Sequence, residues 1–260
     1  MYDLETRKRA RALVAEGRSL NSVSKQLGVS RAAIRNWLVR LEPLPYAPRR
    51  GQCVRCRPQP GQPAAPESYA YLFGLYLGDG CVSRQHRDNY SLRIICADAW
   101  PGLIEDCADA VRAVLPEGRV GRVQRQGCVA VTCWSAHWPC LLPQHGPGPK
   151  HERPMALEPW QQSVVDAHPW PFIRGLIHSD GCRITNWTVR TIAGVAKRYE
   201  YPRYFFTNAS SDIIRLFCDT LDRVGVEWKP GGQRTRLAKN ISIARRASVA
   251  LMDVHVGPKY

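Results

Sequence analysis

One nine-residue segment occurs twice, and that repeat constrains the fold more than any other feature. Leu72-Phe73-Gly74-Leu75-Tyr76-Leu77-Gly78-Asp79-Gly80 returns 101 residues later as Ile173-Arg174-Gly175-Leu176-Ile177-His178-Ser179-Asp180-Gly181. Gly, Leu, Asp and Gly keep the third, fourth, eighth and ninth places. A second echo follows each copy: His145-Gly146-Pro147-Gly148-Pro149-Lys150, then His255-Val256-Gly257-Pro258-Lys259. A unit repeated at long period folds as similar bodies packed together, here about a pseudo-twofold axis. Between the echoes each half carries one amphipathic stretch, 101–115 and 211–224. Alternating segments flank both, at 92–96, 120–132, 203–207 and 239–243. Each half therefore reads helix, two strands, helix, two strands, helix. The fold class expected is α+β, a pseudo-twofold pair of αββαββα halves, preceded by a small all-α unit. The expected division is 1–45 for that unit, 46–66 a basic Pro/Gly-rich linker, 67–150 the first half, 151–171 a connector and 172–260 the second half.

Charge narrows the partner. Lys and Arg number 37 against 22 Asp and Glu, a net +15, and 30 of the basic residues are Arg. Arg grips phosphate bidentately and pairs with guanine edges, so double-stranded DNA is the expected partner. The first 57 residues hold +9 of that charge. No apolar run reaches the about 18 residues that span a membrane, and the N-terminus is charged rather than signal-like. The ten Cys lie scattered among apolar residues. A reduced, cytoplasmic protein without a membrane partner is expected.

Residues 3–16 suit a helix stopped by Gly17. Ser19 can cap a second, 20–26, and Ser30 a third, 31–41, across the turn Leu27-Gly28-Val29. Val23, Leu27, Val29, Ile34 and Leu38 would form the core. Two short helices joined by a Gly turn are the helix-turn-helix pattern. The stretch SLNSVSKQLGVSRAAIRNWL resembles resolvase-like and transposase-like examples, which would put Arg31, Arg35 and Asn36 at base edges. Cys53 and Cys56 form a lone C-x-x-C, read as a pair of reduced thiols in the basic linker or, alternatively, as half of a structural Zn²⁺ site, which needs four ligands and would have to be completed by distant Cys or His.

Taken as helices, the repeats put Gly74 and Gly78 on one face, and Gly175 and Ser179 likewise. Small residues at that spacing let helices pack almost backbone to backbone. Gly80 and Gly181 would end each helix in a left-handed turn. Asp79 and Asp180 would then meet at one end of the interface. Adjacent carboxylates repel unless a proton or cation joins them, and a hard cation beside DNA suits a basic protein. Mg²⁺, or Mn²⁺, is typically held by one or two carboxylates with phosphate and water, an arrangement that hydrolyses phosphodiesters.

These copies resemble the LAGLIDADG motif of homing endonucleases, and the resemblance runs from Ser68 to Tyr260. It implies a pair of αββαββα halves whose two antiparallel sheets lie in the DNA major groove. It also implies motif helices at the domain interface, acids that bind Mg²⁺, and cutting of both strands with 3′ overhangs. By that resemblance Asp79 and Asp180 are metal ligands, with Gly78 and Ser179 beside them in the same metal site. The family's basic residue late in each half falls on Lys150 and Lys259, in the Gly-Pro-Lys echoes, with Lys239 a competitor in the second half. Two motifs in one chain imply a monomer.

Candidates for contacting DNA are Arg84, Arg87 and Arg183, close after the motifs. In the strands, Arg122, Gln124 and Gln126 are expected on one face, with Arg234 and Arg236 on another. Trp134, Trp138, Trp160 and Trp170 are better read as packing and anchoring groups than as base-stacking ones. The expected function is a free-standing, site-specific DNA endonuclease, since neither Met1 nor Lys259-Tyr260 suits an intein. The alternative is a DNA-binding transcriptional regulator whose LAGLIDADG-like domain does not cut. Retention of both acids favours the nuclease, and a maturase that binds intron RNA ranks third.

Overall fold

The structure, a computed structural model, describes residues 4–39, 41, 63–85, 89–231 and 238–260. Two compact units divide the chain, Met1–Gln52 and Cys53–Tyr260.

In the first unit three helices follow one another: α1 (Leu4–Ala15), α2 (Leu20–Leu27) and α3 (Arg31–Val39). The Ser19 hydroxyl accepts from the Ser22 amide at 3.2 Å and the Ser30 hydroxyl from the Ala33 amide at 3.2 Å, satisfying donors that open a helix. Gly28 closes α2 at φ 64°, a left-handed turn that a side chain would resist. The core is Ala10, Leu13, Val23, Val29, Ile34 and Trp37. Leu38, expected in that core, is exposed, and Trp37 takes its place. The reason is phase: Trp37 lies three residues after Ile34, on the buried face, and Leu38 one step round.

The second unit holds the repeat. Its first half runs α4 (Pro66–Asp79), β1 (Gly80–Arg84), β2 (Tyr90–Ala97), α5 (Pro101–Val114), β3 (Val120–Arg125), β4 (Cys128–Trp134) and the short α6 (Trp138–Leu141). After α7 (Pro159–Ala167), the second half runs α8 (Pro169–Asp180), β5 (Gly181–Ile192), β6 (Val195–Asn208), α9 (Ser211–Arg223), β7 (Lys229–Pro230), β8 (Lys239–Ile243) and α10 (Arg246–His255). Each half forms a four-stranded antiparallel sheet, ordered β1-β2-β4-β3 and β5-β6-β8-β7. The shared order makes the two halves copies of one αββαββα plan.

Alternation builds the core. Leu92, Ile94 and Cys96 of β2 pair with Cys133, Val131 and Val129 of β4 and bury one face under α5, where Leu103, Cys107 and Val111 meet them. In the second half Tyr204, Phe206, Ile241 and Ile243 pack under Ile213, Phe217 and Leu221 of α9, with the Phe206 and Phe217 rings 4.3 Å apart. A polar network fastens α7 beneath the motif helices: Gln161, fully buried, donates to the Tyr69 hydroxyl (2.7 Å), which donates to the Leu141 carbonyl (2.6 Å). Trp138 is buried and donates to the Cys133 carbonyl at 3.0 Å, Trp160 meets Tyr69, and Trp170 stacks on His255 at 4.1 Å. Trp134 departs from the packing role, being half exposed at the end of β4. No helix of the described residues is long and apolar enough to cross a membrane.

Two expectations are corrected here. Gly80 and Gly181 are extended, at φ −95° and −105°, because each motif helix passes straight into a strand. Glycine is required for space instead: a Cβ on Gly80 would lie 2.5 Å from the Tyr76 Cα, and one on Gly181 2.7 Å from the Ile177 Cδ1. Second, β6 is far longer than the segment 203–207 indicated. With β5 it forms a ribbon turned by Ala193 and Gly194, both at positive φ, a two-residue hairpin turn.

Candidate functional site

The small residues of the repeat set the site. A Cβ on Gly74 would stand 2.5 Å from the Phe172 carbonyl oxygen, one on Gly175 2.2 Å from that of Tyr71, and one on Gly78 2.2 Å from Ser179 Oγ. No Cβ fits at such distances, so α4 and α8 touch through their backbones. That contact aligns the two helix ends and brings both acids to one place. Asp180 Oδ2 lies 3.0 Å from where a Gly78 Cβ would be.

Four charged groups converge there. Lys150 donates from Nζ to the Gly78 carbonyl at 2.8 Å, and Lys259 does the same to the Ser179 carbonyl at 2.8 Å. The echo lysines thus take equivalent seats, each on the carbonyl just before its half's aspartate. Lys239 is elsewhere, bonded to Ser211 Oγ at 3.0 Å. The Lys150 ammonium also lies 5.1 Å above the Tyr76 ring. Beside Lys259, Tyr260 lies against Gly102, its hydroxyl 2.8 Å from Asp106 Oδ2 and its carbonyl accepting from the Leu103 amide. A cleft of about 290 Å³ opens onto Gly78, Lys150, His151, Asp180, Thr207 and Asn208.

The electrostatics follow from crowding. Asp79 keeps an accessible edge, but the packed protein on its inner side strips hydration and pushes its carboxyl up to about 6; Asp180 adds to the rise and the two lysines oppose it. Burial also pushes Asp180 up, against the Asn208 hydrogen bond and the lysines. Burial draws Lys150 down to about 8 and Lys259 down as well, with both carboxylates opposing. The inner residue His178 donates or accepts at Tyr71 Oη (3.0 Å) and is drawn down to about 4 by burial, so it stays neutral in the interface.

The donors here are two carboxylates and two backbone carbonyls. This hard, all-oxygen set suits Mg²⁺, and each carbonyl keeps a lone pair beyond the one its lysine occupies. Among the described residues no three His, Cys, Asp or Glu side chains are grouped so that they could hold a metal ion together. A cation held here would therefore complete its shell with backbone oxygen, phosphate and water. Cys53 and Cys56 lie outside the described residues, as do Arg87, Arg234 and Arg236.

Strand register sorts the remaining candidates. Residues paired across strands share a face. Arg122 pairs with Val131 and Gln124 with Val129, so both sit in the row that faces α5. Arg122 binds Glu105 of α5 at 2.5 Å, Gln124 bonds the Arg125 and Cys128 carbonyls, and Gln126 falls in the turn. Arg122 and Gln124 thus share one face, as alternation predicts, and that face is turned to the helix; Gln126 alone leaves the row. Arg84 also falls in the helix-side row, with Val82. Arg183 pairs with Tyr204 on the helix side, where both carboxylate oxygens of Asp253 hold its guanidinium at 2.6 and 2.9 Å. The opposite, open faces present other residues. On the first sheet these are Arg93 and Arg125; on the second, Arg203, Tyr201, Tyr199, Lys197 and Arg190. Arg203 lies 4.9 Å over the Tyr201 ring. In the first unit Arg31, Arg35 and Asn36 are all exposed on α3.

Sequence reasoning missed these open-face residues because it assigned faces by counting along one strand, without the register. It also missed Asn208, which a lone sequence presents as an ordinary strand-end residue.

Comparison with known proteins gives two kinds of likeness. Residues 9–40 match the family model described as IS2 transposase InsD, N-terminal domain. No curated protein matches the chain. Among solved structures, the homing endonuclease I-DmoI bound to DNA and Mn is similar at 13% identity and a TM-score of 0.48, over 75% of this chain and 99% of that one. The N-terminal LAGLIDADG domain of DUF199/WhiA is similar at 11% identity and 0.45, over 75% and 83%. A K262A mutant of I-SmaMI is similar at 8% and 0.44, over 70% and 81%. The paired αββαββα plan itself rests on the strand orders and helix contact described above.

Proposed function

We propose that this chain is a site-specific endonuclease that hydrolyses both strands of double-stranded DNA, acting as a monomer with Mg²⁺ or Mn²⁺. The observation that carries the reading is the meeting of Asp79 and Asp180 at a backbone-to-backbone helix contact, with Lys150 and Lys259 in matching seats. The acids stand where α4 and α8 enter β1 and β5, so each half offers one carboxylate at the root of its sheet. Asp79, Asp180 and the Gly78 and Ser179 carbonyls would hold the cation. When bound, it supplies Lewis-acid polarisation of the phosphodiester and offsets the charge gained on attack.

The side chains supply the rest. Lys150 and Lys259 stand where a phosphate would approach the carboxylates, and their ammonium groups stabilise the negative phosphorane. Lys150, drawn down to about 8, also gives up or regains a proton at Nζ close to neutral pH. In each hydrolysis a water oxygen bonds to phosphorus, one P–O ester bond breaks, and the departing oxygen takes a proton. Arg93, Arg125, Arg203, Arg190 and Lys197 on the open faces contact the duplex, as do Arg31, Arg35 and Asn36 of the first unit. Units 1–45 and 67–260 thus act as two DNA-contacting domains joined by the basic linker 46–66.

The test uses a duplex selected by binding from a randomised library. Wild-type protein with Mg²⁺ should cut it, and Asp79→Asn or Asp180→Asn should bind without cutting. Tight binding with no nick in Mg²⁺ or Mn²⁺ turns the reading to the transcriptional regulator. Removal of residues 1–52 should weaken binding and flatten its salt dependence.

A further inference from the structure

The two lysines reach matching seats, and the segments that carry them are fastened in matching ways. Beyond Lys150 the chain continues to Met155, which is fully buried and whose amide donates to Asp212 Oδ2 at 3.0 Å. Asp212 is the second residue of α9, the middle helix of the second half. Beyond Lys259 comes Tyr260, whose carbonyl accepts from the Leu103 amide at 3.2 Å. Its ring lies so close to Gly102 that a Cβ there would collide with Cδ2 and Cε2. Gly102 is the second residue of α5, the middle helix of the first half. Each lysine is thus carried by one half and tied down on the other.

The tie at Tyr260 is built from three contacts. Upstream, α10 ends with the Val256 and Gly257 amides both returning to the Met252 carbonyl, at 2.8 and 3.0 Å, and Gly257 turns the chain away at φ 72°. Pro258 brings no amide N–H. The next backbone hydrogen bond along the chain is the one from Leu103 to Tyr260. The phenol adds a side-chain tie: Tyr260 Oη donates to Asp106 Oδ2 at 2.8 Å, and the same oxygen accepts from Arg174 of α8 at 2.6 Å. Arg174 also lies 5.2 Å over the Tyr71 ring, so the acceptor is itself held in place. A lysine stem is long and flexible, and its ammonium returns to one carbonyl only when the backbone beneath it is fixed. Ring, carbonyl and phenol of the following residue supply that fixing.

We propose that Tyr260 is a positioning residue for Lys259. It pins the second half's lysine to α5 of the first half, so that the ammonium is seated at the paired acids only while the two halves are docked. The effect on cutting rests on the nuclease reading given above; the seating of the ammonium does not.

Two measurements on the full chain test this. The first needs no DNA: an amine-acylating reagent is applied briefly, and labelling of Lys259 and Lys150 is read by mass spectrometry. Tyr260→Ala should raise the Lys259 rate about fivefold, the weight of one hydrogen bond lost. Lys150, whose tie on α9 is untouched, should keep its rate. Tyr260→Phe, which keeps the ring on Gly102, should raise the Lys259 rate less. Gly102→Val, which displaces the ring from the other side, should raise it as Tyr260→Ala does. An unchanged Lys259 rate in both Tyr260→Ala and Gly102→Val overturns the proposal. So does an equal rise at Lys150, which marks general loosening rather than loss of one seat. In the second measurement the selected duplex is cut in a single turnover with Mg²⁺. Tyr260→Ala should slow cutting about fivefold with duplex affinity unchanged, and should add nothing in a Lys259→Met background, because groups that act as one are not additive. Equal slowing with Lys259 present or replaced overturns the positioning role and leaves the nuclease reading intact. If wild type cuts nothing, the nuclease reading fails, and the labelling by itself decides the seating.

Discussion

The two halves of the repeat agree where they touch and differ where they reach outward. At the interface, Gly74 and Gly175 occupy the same notch, and Lys150 and Lys259 the same seat, at the same 2.8 Å. Away from it, β1 and β2 run five and eight residues, while β5 and β6 run twelve and fourteen. The outer part of that longer ribbon exposes Trp187, Val189, Ile192, Val195 and Tyr199 together with Arg190 and Lys197. The lesson is that at Gly74 and Gly175 the contact permits no added carbon, because a Cβ there collides with the other helix's peptide. A solvent-facing ribbon is free to lengthen and change composition, so half-specific properties collect there.

The strongest break of the symmetry would be a difference between the acids themselves. Asp79→Asn and Asp180→Asn should each reduce cutting by about 10³-fold or more, as loss of a group that stabilises the transition state does, with DNA affinity retained. Plasmid linearisation beside a binding assay reads this. Survival of double-strand cutting in either variant would end the shared-centre reading.

Next comes the notch. Gly175→Ala should cost about 3 kcal/mol of stability, the upper part of the usual overpacking range, since its Cβ meets backbone at 2.2 Å. Gly127→Ala, at φ 73° in the β3–β4 turn with open space around it, should cost only about 1 kcal/mol. Urea denaturation of both variants tests whether the interface outweighs the turn.

The sheets supply a finer comparison. Arg203→Ala and Lys197→Ala on the long ribbon, and Arg93→Ala on the short sheet, should each lower the salt slope of DNA binding by about 1. Arg122→Ala, on the helix-side row and paired with Glu105, should leave that slope alone and change stability by less than about 1 kcal/mol. A drop in slope for Arg122→Ala would reverse the assignment of faces.

The smallest effect is a pH dependence of the cation-free protein. The Asp79 carboxyl rises from 3.8 to about 6 on folding. A raised acid favours the folded state below its unfolded value, and that contribution is lost as pH climbs to about 6. Thermal melts should therefore fall between pH 4 and 6. Asp79→Asn or added Mg²⁺ should reduce the fall, and an identical profile in Asp79→Asn would remove the carboxylate pair as its source.

Much of this was legible in the chain. The doubled motif foretold two equal halves, and glycine at helical spacing foretold their contact, because both depend on local pattern repeated. Ser19, Ser30 and Gly28 marked the first unit's turns for the same reason. The faces of β3 and β5 were not legible. Arg122 and Arg183 look like free cations in sequence, and only register shows Glu105 and Asp253 waiting on their side. The outer ribbon, exposed on both faces, left no burial alternation to read.

The sequence by itself determined the duplication, the identity of the paired acids, and the small residues that let two helices meet, since these are properties of residue type and spacing. Only the tertiary structure decided that Gly80 and Gly181 run straight into strands, that Lys259 rather than Lys239 reaches the centre, and that Asn208 reaches one aspartate. Those outcomes depend on which atoms long-range packing brings within a few ångströms, and spacing along a chain does not encode that distance.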